Sequence, residues 1–443
     1  MNRNTKIFFW SLSAALGGFL FGFDTAVISG VEKHLQSLWN LSAVEHGFTV
    51  SIALIGTVVG ALVGGIPADT LGRKKTLLII AVIYLLASLG TALANTWGFF
   101  LIFRFLGGVG VGVSSIVAPL YITEISPASK RGRLVAMFQF NIVFGILIAY
   151  LSNYLLSGID PDVSWRWMLG VQAFPSALFI ITALVIPESP RWLILKRNDL
   201  EGARQTLEII DPDEAEKTIS AVLNASQTNK SAGFATVFSK AYRKPLILAF
   251  LFAFFNQVSG INAIIYYAPR IFELAGLGKE SALLSSAGIG LVNLLSTFIG
   301  LALIDKYGRK TLMIAGSVGL IVALALVTRA FYIHQAGMLV PIYLFIFIAF
   351  FAFSQGAVIW VFIAEIFPNE VRAYGQTVGS STHWIMAALI SFSFPMITEM
   401  FGGAAAFGFF TVMMICQLIF AWKFMPETRG RALEDMDRVI ISH

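Results

Sequence analysis

Two charged residues stand in stretches otherwise apolar enough to cross a bilayer: Asp24 in GFLFGFDTAVISG (residues 18–30) and Arg104 in LIFRFLGGVGVGV (residues 101–113). An ionisable group at mid-bilayer is costly, so it faces a partner or a wet cavity and marks an ion or proton route. The partner candidates here are each other. An arginine beside the aspartate favours the ionised carboxylate while low-dielectric surroundings favour the neutral acid, so small changes in distance or hydration can put a proton on or take it off. The alternative is a permanent structural ion pair between helices.

The elements that must position such a pair are legible in the hydrophobicity. Of 443 residues, 57% are hydrophobic and 13% charged, and the mean hydropathy is +0.78, far more apolar than a soluble domain. Apolar runs of the roughly 20 residues needed to span about 30 Å of hydrocarbon recur along the chain. They predict an all-α membrane protein of twelve helices over residues 7–31, 46–68, 76–94, 98–121, 134–157, 166–186, 245–272, 281–304, 311–332, 338–363, 375–398 and 404–424. The runs are continuous rather than alternating, which argues against a β-barrel. The first follows Arg3 and Lys6 and is too long for the apolar region of a signal peptide, so it is expected to stay as a helix.

Basic residues mark every second boundary between spans: Arg73, Lys74, Lys75, Lys130, Arg131, Arg133, Lys306, Arg309, Lys310, Arg372, Arg429 and Arg431 fall on one side. Lys33, Arg166, Arg270, Lys279 and Arg329 fall on the other. The positive-inside rule then puts both termini in the cytoplasm of what the short loops suggest is a bacterial inner membrane. The net charge of +6 reflects this topology and attraction to the lipid bilayer, and no nucleic-acid partner is expected. The single cysteine, Cys416, excludes an intramolecular disulfide and a cysteine metal cluster, and neither metal nor cofactor is expected.

The hydrophilic stretch 187–244 divides the spans six and six, which predicts an N-terminal half (1–186), a cytoplasmic linker (187–244) and a C-terminal half with a short tail (245–443). Within the linker, Asp211-Pro212-Asp213-Glu214 reads as a helix start with Asp211 as its cap. Leu200, Ala203, Leu207 and Ile210 share one face of a preceding helix.

The halves repeat each other. Asp69-Thr-Leu-Gly-Arg-Lys recurs as Asp305-Lys-Tyr-Gly-Arg-Lys, Glu124-Ile-Ser-Pro as Glu365-Ile-Phe-Pro, and Pro187-Glu188 as Pro426-Glu427, all about 240 residues apart. Such a parallel duplication, with a substrate site between the halves near mid-membrane, is one that transporters use. With GFLFGFDTAVISG, GIPADTLGRKK (65–75), RFLGGVGVG (104–112), PLYITEISPASKRG (119–132), PESPRWL (187–193), QVSGINAIIYYAP (257–269), DKYGRK (305–310), AEIFPNEVR (364–372) and PETRG (426–430) in order, the whole chain resembles a sugar porter of the major facilitator superfamily.

The resemblance implies proton-coupled symport of a monosaccharide, a pentose or hexose, by alternating access, in a functional monomer. An aspartate at the place of Asp24 is typical of proton symporters in that family, so Asp24 and Arg104 become the coupling pair. Matching positions that contact or flank the sugar are Phe21, Gln139, Asn256, Gln257, Asn262, Tyr266, Asn293, Trp360, His383 and Trp384. Amides both donate and accept, as sugar hydroxyls do, and aromatic rings suit the apolar C–H face. The alternative is that these amides only join helices. A cytoplasmic gate is implied at Asp69, Arg73, Glu124, Arg131, Glu188 and Arg191, and at Asp305, Arg309, Glu365, Arg372 and Glu427, where the bland reading is ordinary surface ion pairs. Three positions depart from the family pattern: Asn256 in place of a glutamine, Ala357 in place of a proline tied to the bend of the tenth span, and His383 in place of an amide.

Other classes fare worse. The alternatives within transport are a passive facilitator of sugar or an inositol-like polyol. A sugar sensor would need a long signalling extension. No HExxH, GxSxG or GKS/T motif is present, so neither an intramembrane enzyme nor ATP-driven transport is supported. GGVGVG at 107–112 lies inside a span with no preceding strand, so close helix packing explains it better than a dinucleotide site.

Overall fold

The computed structural model describes residues 2–127, 129–228, 234–334, 337–368 and 371–429, and all regular structure among them is helical. The predicted tail beyond Arg429 lies outside the described residues. Eleven described helices are long and apolar enough to cross a membrane, and the last, Arg372–Lys423, is broken at Gly402 (φ 80°) into arms that match the last two predicted spans. In chain order the spans are α1 (Arg3–Val27), α2 (Ala43–Val63), α3 (Arg73–Ala92), α4 (Trp97–Glu124), α5 (Arg131–Leu156) and α6 (Pro161–Gly170 with Ala173–Val185). They continue with α7 (Arg243–Val258 with Ile261–Leu274), α8 (Lys279–Tyr307), α9 (Arg309–Tyr332), α10 (Leu339–Phe351 and, after one turn, Ala357–Glu365), and α11 and α12 on either side of Gly402. Large apolar side chains such as Leu155, Phe174 and Met400 stay exposed, as they can where the surrounding medium is lipid.

Four predicted spans are interrupted, each for a local reason. The second run ends its first helix at Val63 and resumes as Gly65–Leu71, because Pro67 has no N–H to give the Val63 carbonyl. Pro175 does the same to Val171, and α6 steps at Val171 and Gln172, where the Phe174 N–H falls back on the Val171 carbonyl three residues earlier. In α7 the break is Ser259–Gly260, with Gly260 at φ 87°; a Cβ there would also sit 2.5 Å from the ring of Phe410. In α10 the stretch Ala352–Gly356 widens into a π-helical turn just before Ala357. The helix thus departs from regular α geometry just before Ala357, the position without the proline.

By contacts the chain falls into two units, Met1–Val27 with Ile52–Ser152 and Gly158–Lys230, and Ile28–Ser51 with Asn153–Ser157 and Ser231–His443. In the first, α3 packs on α4 and α6, and α1 on the same two helices. Its core gathers Trp10, Tyr84, Tyr121, Phe138 and Phe179 from the spans with Ala203, Leu207, Ile210 and Ile219 from the linker. The predicted linker face is therefore buried, except that Leu200 is 39% exposed. Asp211 makes no capping bond: it lies 3.6 Å from Arg3, and Pro212–Glu214 forms a single 3-10 turn before the helix Ala215–Thr228. The preceding helix, Leu200–Ile210, is the one capped by an aspartate: the Asp199 carboxylate accepts the Gly202 N–H at 2.9 Å. The second unit has its own core around Phe252, Phe362, Phe367 and Phe420.

Candidate functional site

Within the first unit, α1 and α4 bring Asp24 and Arg104 together as read from the sequence. Arg104 Nη1 donates to Asp24 Oδ1 at 2.9 Å, and the two residues are 2% and 6% exposed. Removing either partner would leave a buried charge uncompensated. Two further guanidinium donors, Nε and Nη2, are buried with no hydrogen-bond partner among the described residues. The Gln172 amide, at the step in α6, and the Tyr84 phenol also face the carboxyl. Neither was singled out in the sequence. Gln172 carried a signal all the same: it is a lone amide in an apolar span, two residues before a phenylalanine-proline pair.

In the second unit the break in α7 places Asn256 and Gln257 on one side of Gly260 and Asn262 on the other. Asn262 Nδ2 donates to Gln257 Oε1 at 2.6 Å, and Gln257 Nε2 donates to Asn256 Oδ1 at 3.0 Å. The same Nε2 lies 3.1 Å from both ring nitrogens of His383 on α11. An amide nitrogen only donates, so the ring nitrogen it meets must be an unprotonated acceptor; the arrangement describes a neutral hydrogen-bonding imidazole. His383 in turn sits between two indoles, with centroids 4.9 Å from Trp360 and 4.8 Å from Trp384. Asn256 Nδ2 is buried with its hydrogen-bonding capacity unused among the described residues. Trp360 alone of this group is substantially exposed, at 38%. Amide donors and acceptors beside aromatic faces are a surface that a polyhydroxylated ring can satisfy. Tyr266 and Asn293 are buried in this unit, whereas Gln139 and Phe21 are half-buried in the first.

The charged signatures build the same cluster twice. In the first unit, Arg73 holds Glu124 through two bonds, Nε to Oε2 at 3.0 Å and Nη2 to Oε1 at 3.1 Å, and reaches Asp69 at 3.2 Å. In the second, Arg309 holds Glu365 at 3.1 and 2.8 Å and Asp305 at 3.2 Å. Glu188 accepts the backbone N–H groups of Arg73, Lys74 and Ser189, and Glu427 those of Arg309, Lys310, Thr428 and Arg429. Each thereby supplies the anion that the open N-terminus of α3 or α9 favours. Gly72 (φ 98°) and Gly308 (φ 87°) admit these carboxylates: a Cβ would lie 2.2 Å from Glu188 Oε2 or 2.5 Å from Glu427 Oε2. Arg131 and Arg191 are exposed, and they and Arg372 form no ion pair among the described residues; Arg372 Nε donates to the Phe367 carbonyl instead.

The chain is similar to known proteins over nearly its whole length. A family model described as sugar (and other) transporter matches residues 10–440. The D-xylose transporter of Levilactobacillus brevis is 36% identical over 432 residues, 96% of this chain and 94% of that protein. The arabinose-proton symporter of Bacillus subtilis is 34% identical over 437 residues, 97% of this chain and 94% of that protein. Among solved structures, the inward open conformation of the xylose transporter XylE from E. coli matches with a TM-score of 0.87 at 31% identity, over 98% of this chain and 100% of that one.

Proposed function

This chain belongs to the sugar porter family of the major facilitator superfamily, and from that premise we propose that it takes up a monosaccharide, a pentose or hexose, together with a proton. It is a multi-pass membrane protein of the sugar-transport class and not an enzyme. The observation that carries the coupling is the buried Asp24–Arg104 pair. A proton arriving at Asp24 cancels the charge that holds Arg104, and its departure restores the pair; the cost of an unpaired buried arginine ties each event to a rearrangement of α1 against α4. The sugar is read by Asn256, Gln257, Asn262 and His383, whose mutual bonds can be exchanged for bonds to hydroxyls with little change in their number. Trp360 and Trp384 take its apolar face. Relatives named for xylose, arabinose and glucose are similar to this chain to the same degree, so the reading spans pentoses and hexoses.

The twin arginine–carboxylate clusters are assigned to the cytoplasmic face, with both termini on that side, as gate elements that change as access alternates. The protein is assigned as a monomer. Reconstituted into proteoliposomes, it is expected to accumulate xylose, arabinose or glucose against a gradient when an inward proton gradient is imposed. Asp24→Asn is expected to abolish accumulation while counterflow exchange survives. Equilibration that ignores the proton gradient would make the protein a passive facilitator and Asp24–Arg104 a structural pair.

A further inference from the structure

A second buried charge cluster lies just beyond Asp24, and nothing in the transport reading uses it. After α1 the chain makes a 3-10 turn, Ile28–Gly30, and a short helix, Glu32–Leu38. Glu32 is 1% exposed and His46, at the start of α2, is fully buried. Glu32 Oε1 lies 3.2 Å from Arg270 Nε in the second part of α7, and Glu32 Oε2 lies 2.5 Å from His46 Nε2, off the line of a hydrogen bond. Arg270 also donates through Nη2 to Gln36, and Lys33 pairs with Glu273 one turn further along α7. The His46 ring meets Tyr267 edge-on with centroids 5.8 Å apart, and the Tyr267 hydroxyl donates to the Ser391 carbonyl at 2.9 Å. A carboxylate this deep is tolerable only while its cation stays in place.

Three facts make this more than a structural pair. The boundary between the two contact units falls between Val27 and Ile28 and again between Ser51 and Ile52, so the segment held by Glu32 and His46 belongs to the same unit as α7. The boundary comes one turn after Asp24. A cavity of about 730 Å³ opens directly over the cluster, and Lys33, Glu273, Lys279 and Glu399 line it together with Leu274, Leu277 and Leu283, so parting Glu32 from Arg270 would open into space that other charged side chains already reach.

We infer that Glu32, His46 and Arg270 form a latch that holds segment 28–51 against α7 and must open in each transport cycle. The inference rests on the transport reading, in which this end of α1 faces outside. The latch favours the form closed at that end, and its release is paid back by hydration of the three side chains in the cavity above them. It places Glu32 eight residues from Asp24, so a shift of α1 at Asp24 is transmitted directly to the 3-10 turn between them.

The test uses a reporter cysteine at Ser29→Cys, 3% exposed at the cavity wall, in a Cys416→Ser background, labelled in right-side-out vesicles with a membrane-impermeant maleimide and no sugar or proton gradient. Without sugar or gradient, the result does not depend on which sugar is carried or on coupling at Asp24. Arg270→Gln and Glu32→Gln are each expected to raise the labelling rate at least about tenfold, and the double variant is expected to match the singles, since either change breaks the same contact. Unchanged labelling in the folded single variants, or additive effects, would overturn the latch. If Arg270→Gln fails to fold, Arg270→Lys decides, because it keeps the charge and loses the guanidinium contacts to Glu32 and Gln36: an increase of about two- to threefold supports the latch and none overturns it.

Discussion

Substituting Gly72→Ala should destabilise the first unit by an amount that can be worked out from two contacts. Gly72 sits at φ 98° and ψ 164°, a region essentially closed to residues with a side chain and costing about 1–3 kcal/mol to occupy. The added methyl would lie 2.2 Å from Glu188 Oε2, so the carboxylate must move, releasing the backbone N–H groups of Arg73, Lys74 and Ser189 that it holds at 2.9, 3.1 and 2.8 Å. Water at the membrane surface replaces part of that loss, leaving about 1–2 kcal/mol. The sum is roughly 3 kcal/mol, or on the order of 6–12 °C in melting temperature for a cooperative unit of this size class. Thermal unfolding of the purified protein in detergent, with Gly65→Ala as a helical control that meets nothing within 4 Å, measures it. Gly308→Ala, against Glu427, should behave alike. Adding Glu188→Ala to Gly72→Ala should cost less than it does alone, because the cap has already been displaced. A Gly72→Ala protein that melts with the Gly65→Ala control would refute the reasoning.

Two further substitutions probe the sites. Arg104→Met should cost about 3–5 kcal/mol by stranding Asp24, and adding Asp24→Asn should recover most of it; a melting temperature that stays low in the double variant would show that the pair is not the cause. Gln257→Ala removes the amide that joins Asn256, Asn262 and His383, and should raise the KM for sugar roughly 5- to 30-fold through one or two lost hydrogen bonds, read as initial uptake rates across sugar concentrations.

How much was legible in the sequence differs from site to site. The twin arginine–carboxylate clusters could be read almost residue by residue: a repeated Gly-Arg-Lys, a repeated Glu at the end of α4 and α10, and a repeated Pro-Glu leave few other partners. The sequence spacing did not show that Glu188 and Glu427 bind backbone rather than arginine, because an open helix N-terminus is a property of three-dimensional ends. Arg131, Arg191 and Arg372 matched the same signatures yet form no ion pair among the described residues, which marks where composition stops predicting geometry. The α7 span was read as one helix, although its Ser-Gly pair sits between the amides; hydropathy averages over such a break. Gln172 and the Glu32–His46–Arg270 cluster escaped because each depends on contacts between segments far apart in the chain.

The amino-acid sequence by itself determined that this chain crosses the membrane as helices, that its halves are duplicated, and that Asp24 needs Arg104. These follow from transfer free energies and charge balance, which act residue by residue. Only the tertiary structure decided which amides share His383. It also decided which carboxylate is capped by backbone and which is buried against Arg270. Those outcomes depend on distances between side chains that no local pattern encodes, since a buried polar group takes whichever partner the packing brings within reach.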